Sequence, residues 1–154
     1  MIRLKPESDL LALAYVNRAS AKSDLGDNEG AIEDSNTAMR LKPGDTILAA
    51  AYNIRGKEKS AQGENIDSIV DFDKAIQLKP NHAEFYYNRG VANTALGHTS
   101  TAEIDLKTAL KLFEQAINIS KSADEEAISE NLTMYLDVRS DLKADIEAAL
   151  RLLK

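Results

Sequence analysis

The chain has no cysteine and no tryptophan, and among its 154 residues only 3 are proline and 7 are glycine. Without thiols it forms no disulfide and does no thiolate chemistry, and its redox compartment stays open. Scarce proline and glycine argue against disorder or collagen-like structure and suit long helices with short connections. Basic residues are outnumbered, 19 against 25 acidic, for a formal net charge of -6. Such a balance lacks the basic footprint that holds nucleic acids or anionic membranes, so neither is an expected partner. No apolar run approaches the roughly 18–20 residues of a membrane span. Two early basic residues, the apolar run Leu10–Val16 and small residues at Ala19 and Ala21 sketch a signal peptide, but Glu7 and Asp9 interrupt it. A soluble chain, cytoplasmic rather than exported, is the expectation. Its length and its 44% hydrophobic content fit one domain with a real core.

What is present is a repeat. Tyr15, Tyr52 and Tyr86 align when the chain is laid against itself, as do Arg18, Arg55 and Arg89, and then Ala19, Gly56 and Gly90. Gly26, Gly63 and Gly97 follow in phase, then Asp34, Asp71 and Asp105, and Ala38, Ala75 and Ala109 close each unit. The first step is 37 residues and the second 34. The three residues lost between Pro80 and Tyr86 are about one helical turn. The first helices of the first two units therefore start one turn early, with Ser8 and Asp45 as the predicted N-caps.

Each unit reads as two helices. "LLALAYVNRASAKSDLG" has apolar or small residues at helical spacing and ends at Gly26. "NEGAIEDSNTAMRLKP" follows from Asn28 as N-cap, and Pro43 disfavours helical backbone at Lys42. Asn65 and Thr99 hold the matching cap positions. Ala19, Gly56 and Gly90 fall where the two helices of a unit approach closest, and Ala38, Ala75 and Ala109 where one unit meets the next. Larger side chains there would overpack the seams, at about 1–3 kcal/mol each. Arg18–Asp34, Arg55–Asp71 and Arg89–Asp105 are each 16 residues apart. They face one another across antiparallel helices, or bridge to the adjacent unit, as structural ion pairs. The alternative is an arginine row on a ligand face; the aspartate that recurs in step favours structure.

These residues resemble the tetratricopeptide repeat family, whose pattern sets an aromatic, Leu-Gly and Tyr before Ala, an aromatic and Pro over 34 residues. Tyr15, Ala19, Ala31, Ala38 and Pro43 carry the match in the first unit, and Tyr52, Gly56, Phe72, Ala75 and Pro80 in the second. Tyr86, Gly90, Ala102, Leu106 and Ala109 carry it in the third, so that the resemblance spans residues 1 to about 112. Tyr replaces the usual Trp, Arg the usual Leu, and Lys22, Lys59 and Asn93 stand where Tyr is common. Ser35 replaces the aromatic of the second helix, and Ser68 its small alanine.

The resemblance implies an all-α fold, a right-handed α-solenoid of three helix-turn-helix units plus a C-terminal capping helix, as one domain over 1–154. Residues 1–6 are the tail of a preceding unit, 7–43, 44–80 and 81–120 the repeats, and 121–154 the cap. Proline does not recur after Pro80, so the last repeat helix continues from about Ser100 to about Ile119, with Leu106, Leu110, Phe113 and Ile117 on one stripe. Ser122 and Glu125 form a predicted capping box. After it Ile128, Leu132, Tyr135, Leu142, Ile146, Ala149 and Leu153 recur at helical steps, interrupted by Arg139, as one helix or two broken near Ser140. An array needs such a terminal element with a polar outer face.

The resemblance also implies a concave groove lined by the first helices. Its predicted ligand-binding residues are Asn17, Ser20, Asn53, Lys57, Glu84, Tyr87 and Asn88, with Leu13, Val16, Val91 and Thr94 completing the lining. A side-chain amide at Asn17 or Asn88 both donates and accepts, and so grips one peptide unit without reading side chains. The family's carboxylate clamp uses several Lys and Arg residues; here Val16, Ser20, Glu84 and Asn88 stand at those positions, so a clamp of that kind is not expected.

No enzyme constellation appears. His82 and His98 fall at loops or helix starts without metal-ligand spacing, the carboxylates of "DSIVDFD" and "SADEE" read as solvated helix surface, and there is no phosphate-binding glycine loop. No catalytic residue, metal or cofactor is expected. The function expected is a non-catalytic scaffold that binds a peptide or helix of another protein in the groove; the alternative is an assembly or spacer segment acting by end-to-end stacking. "MIRLKP" looks like the tail of a preceding second helix, so self-association through an uncapped N-terminal end is a further expectation.

Overall fold

The computed structural model describes residues 6–122 and 129–153. They form seven helices: α1 (Pro6–Asp24), α2 (Asn28–Arg40), α3 (Asp45–Ala61), α4 (Asn65–Leu78), α5 (Ala83–Ala95), α6 (Thr99–Ser122) and α7 (Ser129–Leu152). The fold is all-α, with three helix-turn-helix pairs and a C-terminal helix. The chain divides into two compact units, Met1–Pro80 and Asn81–Lys154.

One turn closes every pair. Gly26 sits at φ 78°, a conformation that costs glycine nothing. Its N–H donates to Ser23 O at 2.9 Å, and the N–H of Asp27 reaches back to Lys22 O at 2.9 Å. This is a Schellman turn, which satisfies carbonyls left open at the end of α1. It recurs at Gly63–Glu64 and Gly97–His98 with the equivalent bonds. The residue after each glycine also starts the next helix: the carbonyls of Asp27, Glu64 and His98 accept from Ala31, Ser68 and Ala102. The caps thus lie one residue before Asn28, Asn65 and Thr99, because a single residue ends one helix and opens the next. Asp27 adds a side-chain cap, accepting from Gly30 N at 3.0 Å, and Glu64 does not.

The early start of the first two units is present, with different caps. Ser8 lies inside α1. Asp45 is the first residue of α3, and Gly44, extended at φ -61° and ψ 159°, is its N-cap. Gly44 N donates to Asp9 Oδ1 of α1 at 3.3 Å. At the end of α2, Lys42 leaves helical backbone altogether, with φ 50° before Pro43.

In the first unit α1, α2 and α3 pack together, and α4 packs on α3. Ala12, Val16, Ala19, Ala31, Ala38, Ala51 and Ile54 form its core, flanked by Tyr15, Met39, Leu41, Ile47 and Ala50. The close seams are where the repeat placed its small residues. A Cβ at Gly56 would lie 2.7 Å from Phe72 Cε1, and one at Gly90 3.0 Å from Leu106 Cγ. In the first repeat, alanine at 19 goes with Ser35, whose hydroxyl turns back to Ala31 O at 2.8 Å. Alanine fits where its partner is small; glycine stands where the partner is Phe or Leu.

In the second unit α6 runs on to Ser122, as the loss of proline implies. Leu106, Ala109 and Ile146 are fully buried, with Leu110, Leu142, Ala149, Leu150 and Leu153 around them. α7 is one helix, unbroken at Ser140, and packs on both α6 and α5. The capping partner Glu125 and the stripe residue Ile128 lie outside the described residues.

Candidate functional site

Each helix pair carries the same polar lattice. In the first, Arg18 Nε donates to Asp34 Oδ2 at 2.7 Å and its Nη2 to Oδ1 at 2.6 Å. Arg55 grips Asp71 in the same two-pronged way at 2.9 and 2.6 Å, and Arg89 grips Asp105 at 2.9 and 2.6 Å. Each guanidinium also lies over the tyrosine one turn before it, at 5.1 Å for Tyr15, 5.5 Å for Tyr52 and 5.6 Å for Tyr86. A third group completes the site: Lys22 on Asp34 at 3.1 Å, Lys59 on Asp71 at 3.0 Å, and Asn93 on Asp105 at 3.3 Å. The departures at 22, 59 and 93 therefore serve the buried carboxylates.

All three aspartates are 2% exposed, so each buried charge is matched inside its own helix pair. The hydrogen bonds from Arg18, more than the opposing effect of burial, hold the Asp34 carboxyl below its ordinary 3.8. Asp71 in turn raises the Arg55 guanidinium. The arginines are structural, and Arg55 also bridges repeats, with Nη1 donating to Asn36 Oδ1 of α2 at 2.7 Å.

A second bridge inside the first unit escaped the periodicity. Glu58 of α3 is 4% exposed and accepts from Ser23 Oγ at 2.5 Å. With its amide turned to donate, Asn28 reaches the other Glu58 oxygen at 2.9 Å. Position 58 is alanine in the other two repeats, Ala21 and Ala92, so no repeat signal marked it. Its one legible trace is a lone acidic residue where its counterparts are small.

With these charges turned into the helix pairs, what remains on the first helices can meet a ligand. In the first unit Asn17 and Ser20 of α1 and Lys57 of α3 are exposed, beside Leu13 at 41% exposure. Val16 belongs to the core, and Asn53 is 6% exposed. In the second unit Glu84, Tyr87 and Asn88 of α5 are half-buried and Val91 is exposed. Thr94 bonds its own helix, donating to Gly90 O at 2.9 Å. Tyr87 packs against the Leu106–Ala109–Ile146 cluster. Burial, with the Asp145 carboxylate of α7 adding to it, raises the Tyr87 phenol above its ordinary value. The C-terminal helix thus takes part of the surface that the sequence assigns to ligand, because α7 packs on α5 as well as on α6. Among the described residues no three His, Asp or Glu side chains converge as metal ligands, and no helix is long and apolar enough to cross a membrane.

Comparison with known proteins falls on the same helix pairs. A family model described as "Tetratricopeptide repeat" matches residues 12–45 and 83–116, and one described as "TPR repeat" matches 56–97. No curated protein matches the sequence. Solved structures do. The first TPR of Spaghetti (RPAP3), solved bound to the HSP90 peptide SRMEEVD, is 18% identical with a TM-score of 0.62, over 98% of this chain and 99% of that one. The first TPR domain of human RPAP3 is 18% identical with a TM-score of 0.63, over 93% and 94%. The Sgt2 TPR domain from Aspergillus fumigatus is 14% identical with a TM-score of 0.64, over 97% and 78%. At such identities the likeness shows the fold alone, but the family models fall on the sequence itself, the 12–45 and 83–116 matches each spanning one Tyr–Arg–Asp set, and by them the chain belongs to the tetratricopeptide repeat family.

Proposed function

We propose that this protein is a non-catalytic protein–protein interaction scaffold whose first-helix surfaces hold an extended segment or helix of a partner. The observation that carries this reading is the division of labour on α1 and α3. Their arginines and Lys59 face buried aspartates, while Asn17, Ser20 and Lys57 stay exposed beside Leu13. Packed helices present these groups on a platform that needs little ordering, which lowers the entropic cost of capture. Amide and hydroxyl groups bond a peptide backbone, and Leu13 covers an apolar side chain. Glu84, Tyr87 and Asn88 of α5 form a candidate contact surface of the second unit by itself.

The peptide in the similar solved structure is an acidic one. None of Val16, Ser20, Glu84 and Asn88 is basic. On the α1–α3 surface of the first unit Lys57 supplies an exposed cation that no buried aspartate holds. The fitting ligand is a neutral or mixed segment rather than an acidic tail.

The test is capture of a partner from native lysate by the full chain. Replacing Asn17 and Lys57 with Ala removes capture and leaves the helical circular dichroism unchanged. Undiminished capture by that variant overturns the groove reading. If it then disappears on charging Leu10 and Leu11, which are 67% and 49% exposed, assembly through α1 takes its place.

A further inference from the structure

Ser23 and Ser60 hold the same position one repeat apart, as do Asn28 and Asn65. In the second repeat the two bond each other, with Ser60 Oγ donating to Asn65 Oδ1 at 2.9 Å. In the first repeat both serve Glu58 of α3 instead. Ser23 Oγ donates to one carboxylate oxygen at 2.5 Å, and the Asn28 amide, turned to donate, reaches the other at 2.9 Å. Glu58 is 4% exposed, and these two donors are neutral. Its equivalents, Ala21 and Ala92, carry no polar side chain. The Arg–Asp pairs each close a single helix pair, whereas Glu58 joins the turn of the first pair to the first helix of the second.

The apolar packing at that junction is uniform. Five alanines make up most of the buried core shared by α1, α2 and α3, with Val16 and Ile54 larger. A core of small, similar side chains specifies register weakly. A buried carboxylate specifies it strongly: an offset that takes Glu58 away from Ser23 and Asn28 leaves a charge buried without partners. One turn earlier on α3, Arg55 Nη1 bonds Asn36 Oδ1 at 2.7 Å. Asn28 and Asn36 stand eight residues apart on α2, about 12 Å along its axis. α3 is thus pinned at two places on α2 and, through Ser23, on α1.

We propose that Glu58 is the positioning residue of the first unit, whose bridge fixes the offset and angle at which the second repeat sits on the first. Its effect lies in selecting one packing rather than in adding net stability. Lys57 is its neighbour in the chain, so the bridge also sets the spacing of Lys57 from Asn17 and Ser20 of α1. That consequence rests on the proposed function; the spacing of the repeats does not.

The chain has no cysteine, so a pair of spin labels can be attached through Glu29→Cys and Ile66→Cys. These positions are exposed and lie one repeat apart, on α2 and α4. Double electron–electron resonance on the full chain then reads the spacing of the two repeats without any ligand. One narrow distance distribution is expected when Glu58 is present. Glu58→Ala broadens it or adds a second maximum. Glu58→Gln keeps it narrow, because the new amide oxygen accepts from Ser23 and the Asn28 amide turns back to accept from the new nitrogen. Ser23→Ala broadens it as Glu58→Ala does, and decides the matter if Glu58→Ala fails to fold; circular dichroism verifies folding in each variant. A variant that is merely less stable keeps the narrow distribution in its folded fraction. An unchanged distribution in folded Glu58→Ala, or in Ser23→Ala where that variant decides, overturns the proposal. So does a Glu58→Gln distribution as broad as that of Glu58→Ala.

Discussion

The ring of Phe72 occupies the space that a side chain at position 56 would need: a Cβ on Gly56 would lie 2.7 Å from Phe72 Cε1. Gly56→Ala gains roughly 1 kcal/mol of helix propensity but overpacks the seam between α3 and α4, at a cost of about 1–3 kcal/mol. A net loss of stability is expected in urea denaturation. In a Phe72→Ala background the obstruction is gone, and the same Gly56→Ala change becomes stabilising. A loss of equal size in both backgrounds would show that the ring does not decide the residue at 56.

The three aspartates are equally buried, but the cations left behind by their removal are not equally solvated. Asp71→Asn strands Arg55 and Lys59, whose side chains are 22% and 21% exposed. It is expected to cost about 3–5 kcal/mol, the range for breaking a buried pair. Asp34→Asn strands an arginine that is 59% exposed and largely hydrated. Its loss is smaller, and paired denaturation curves give the order directly.

Acid stability follows from Asp34. Its folded carboxyl titrates below the ordinary 3.8. The unfolded chain therefore takes up the proton first as pH falls. The contribution of this group is intact above about pH 4 and lost progressively below it, as pH drops through the folded value. Asp34→Asn should flatten that part of a stability–pH curve and leave its shape above about pH 5 unchanged.

Tyr87 reports whether α7 is docked. Burial and Asp145 raise its phenol above the ordinary 10.0, so the fold favours the neutral form. Its stabilising contribution falls as pH rises past 10, where the unfolded tyrosine ionises and the folded one resists. Ile146→Ala, at a site with no exposure, should cost about 2–4 kcal/mol. By loosening α7 it should also bring the Tyr87 titration down toward the ordinary value. Ultraviolet difference titration of the variant and of Tyr87→Phe isolates this signal.

The legible features were those the repeat writes three times. The turn glycines and the Arg–Asp spacing recur in phase, and the structure places each in the role that its recurrence implies; Gly56 and Gly90 likewise sit at close seams within their helix pairs. The extension of α6 was legible as a missing proline. The N-caps were misplaced by one residue because a Schellman turn lets Asp27, Glu64 and His98 serve two helices at once, a fact of backbone geometry rather than residue type. Glu58 was missed because it occurs once. The least legible feature was exposure on the first helices: whether Asn53 or Tyr87 is covered depends on which neighbours pack there, and the period of a helix does not record that.

The central claim is that the open face of α1 and α3 meets the partner, and site-specific photo-crosslinking tests it most directly. p-Benzoyl-phenylalanine is placed singly at positions 17 and 57 on the first helices and at 33 and 66, exposed on the second helices. Crosslinked partner peptides are then identified by mass spectrometry. Crosslinks from 17 and 57 to one segment of one protein, with none from 33 and 66, are the expected result. Crosslinks confined to 33 and 66 would contradict it.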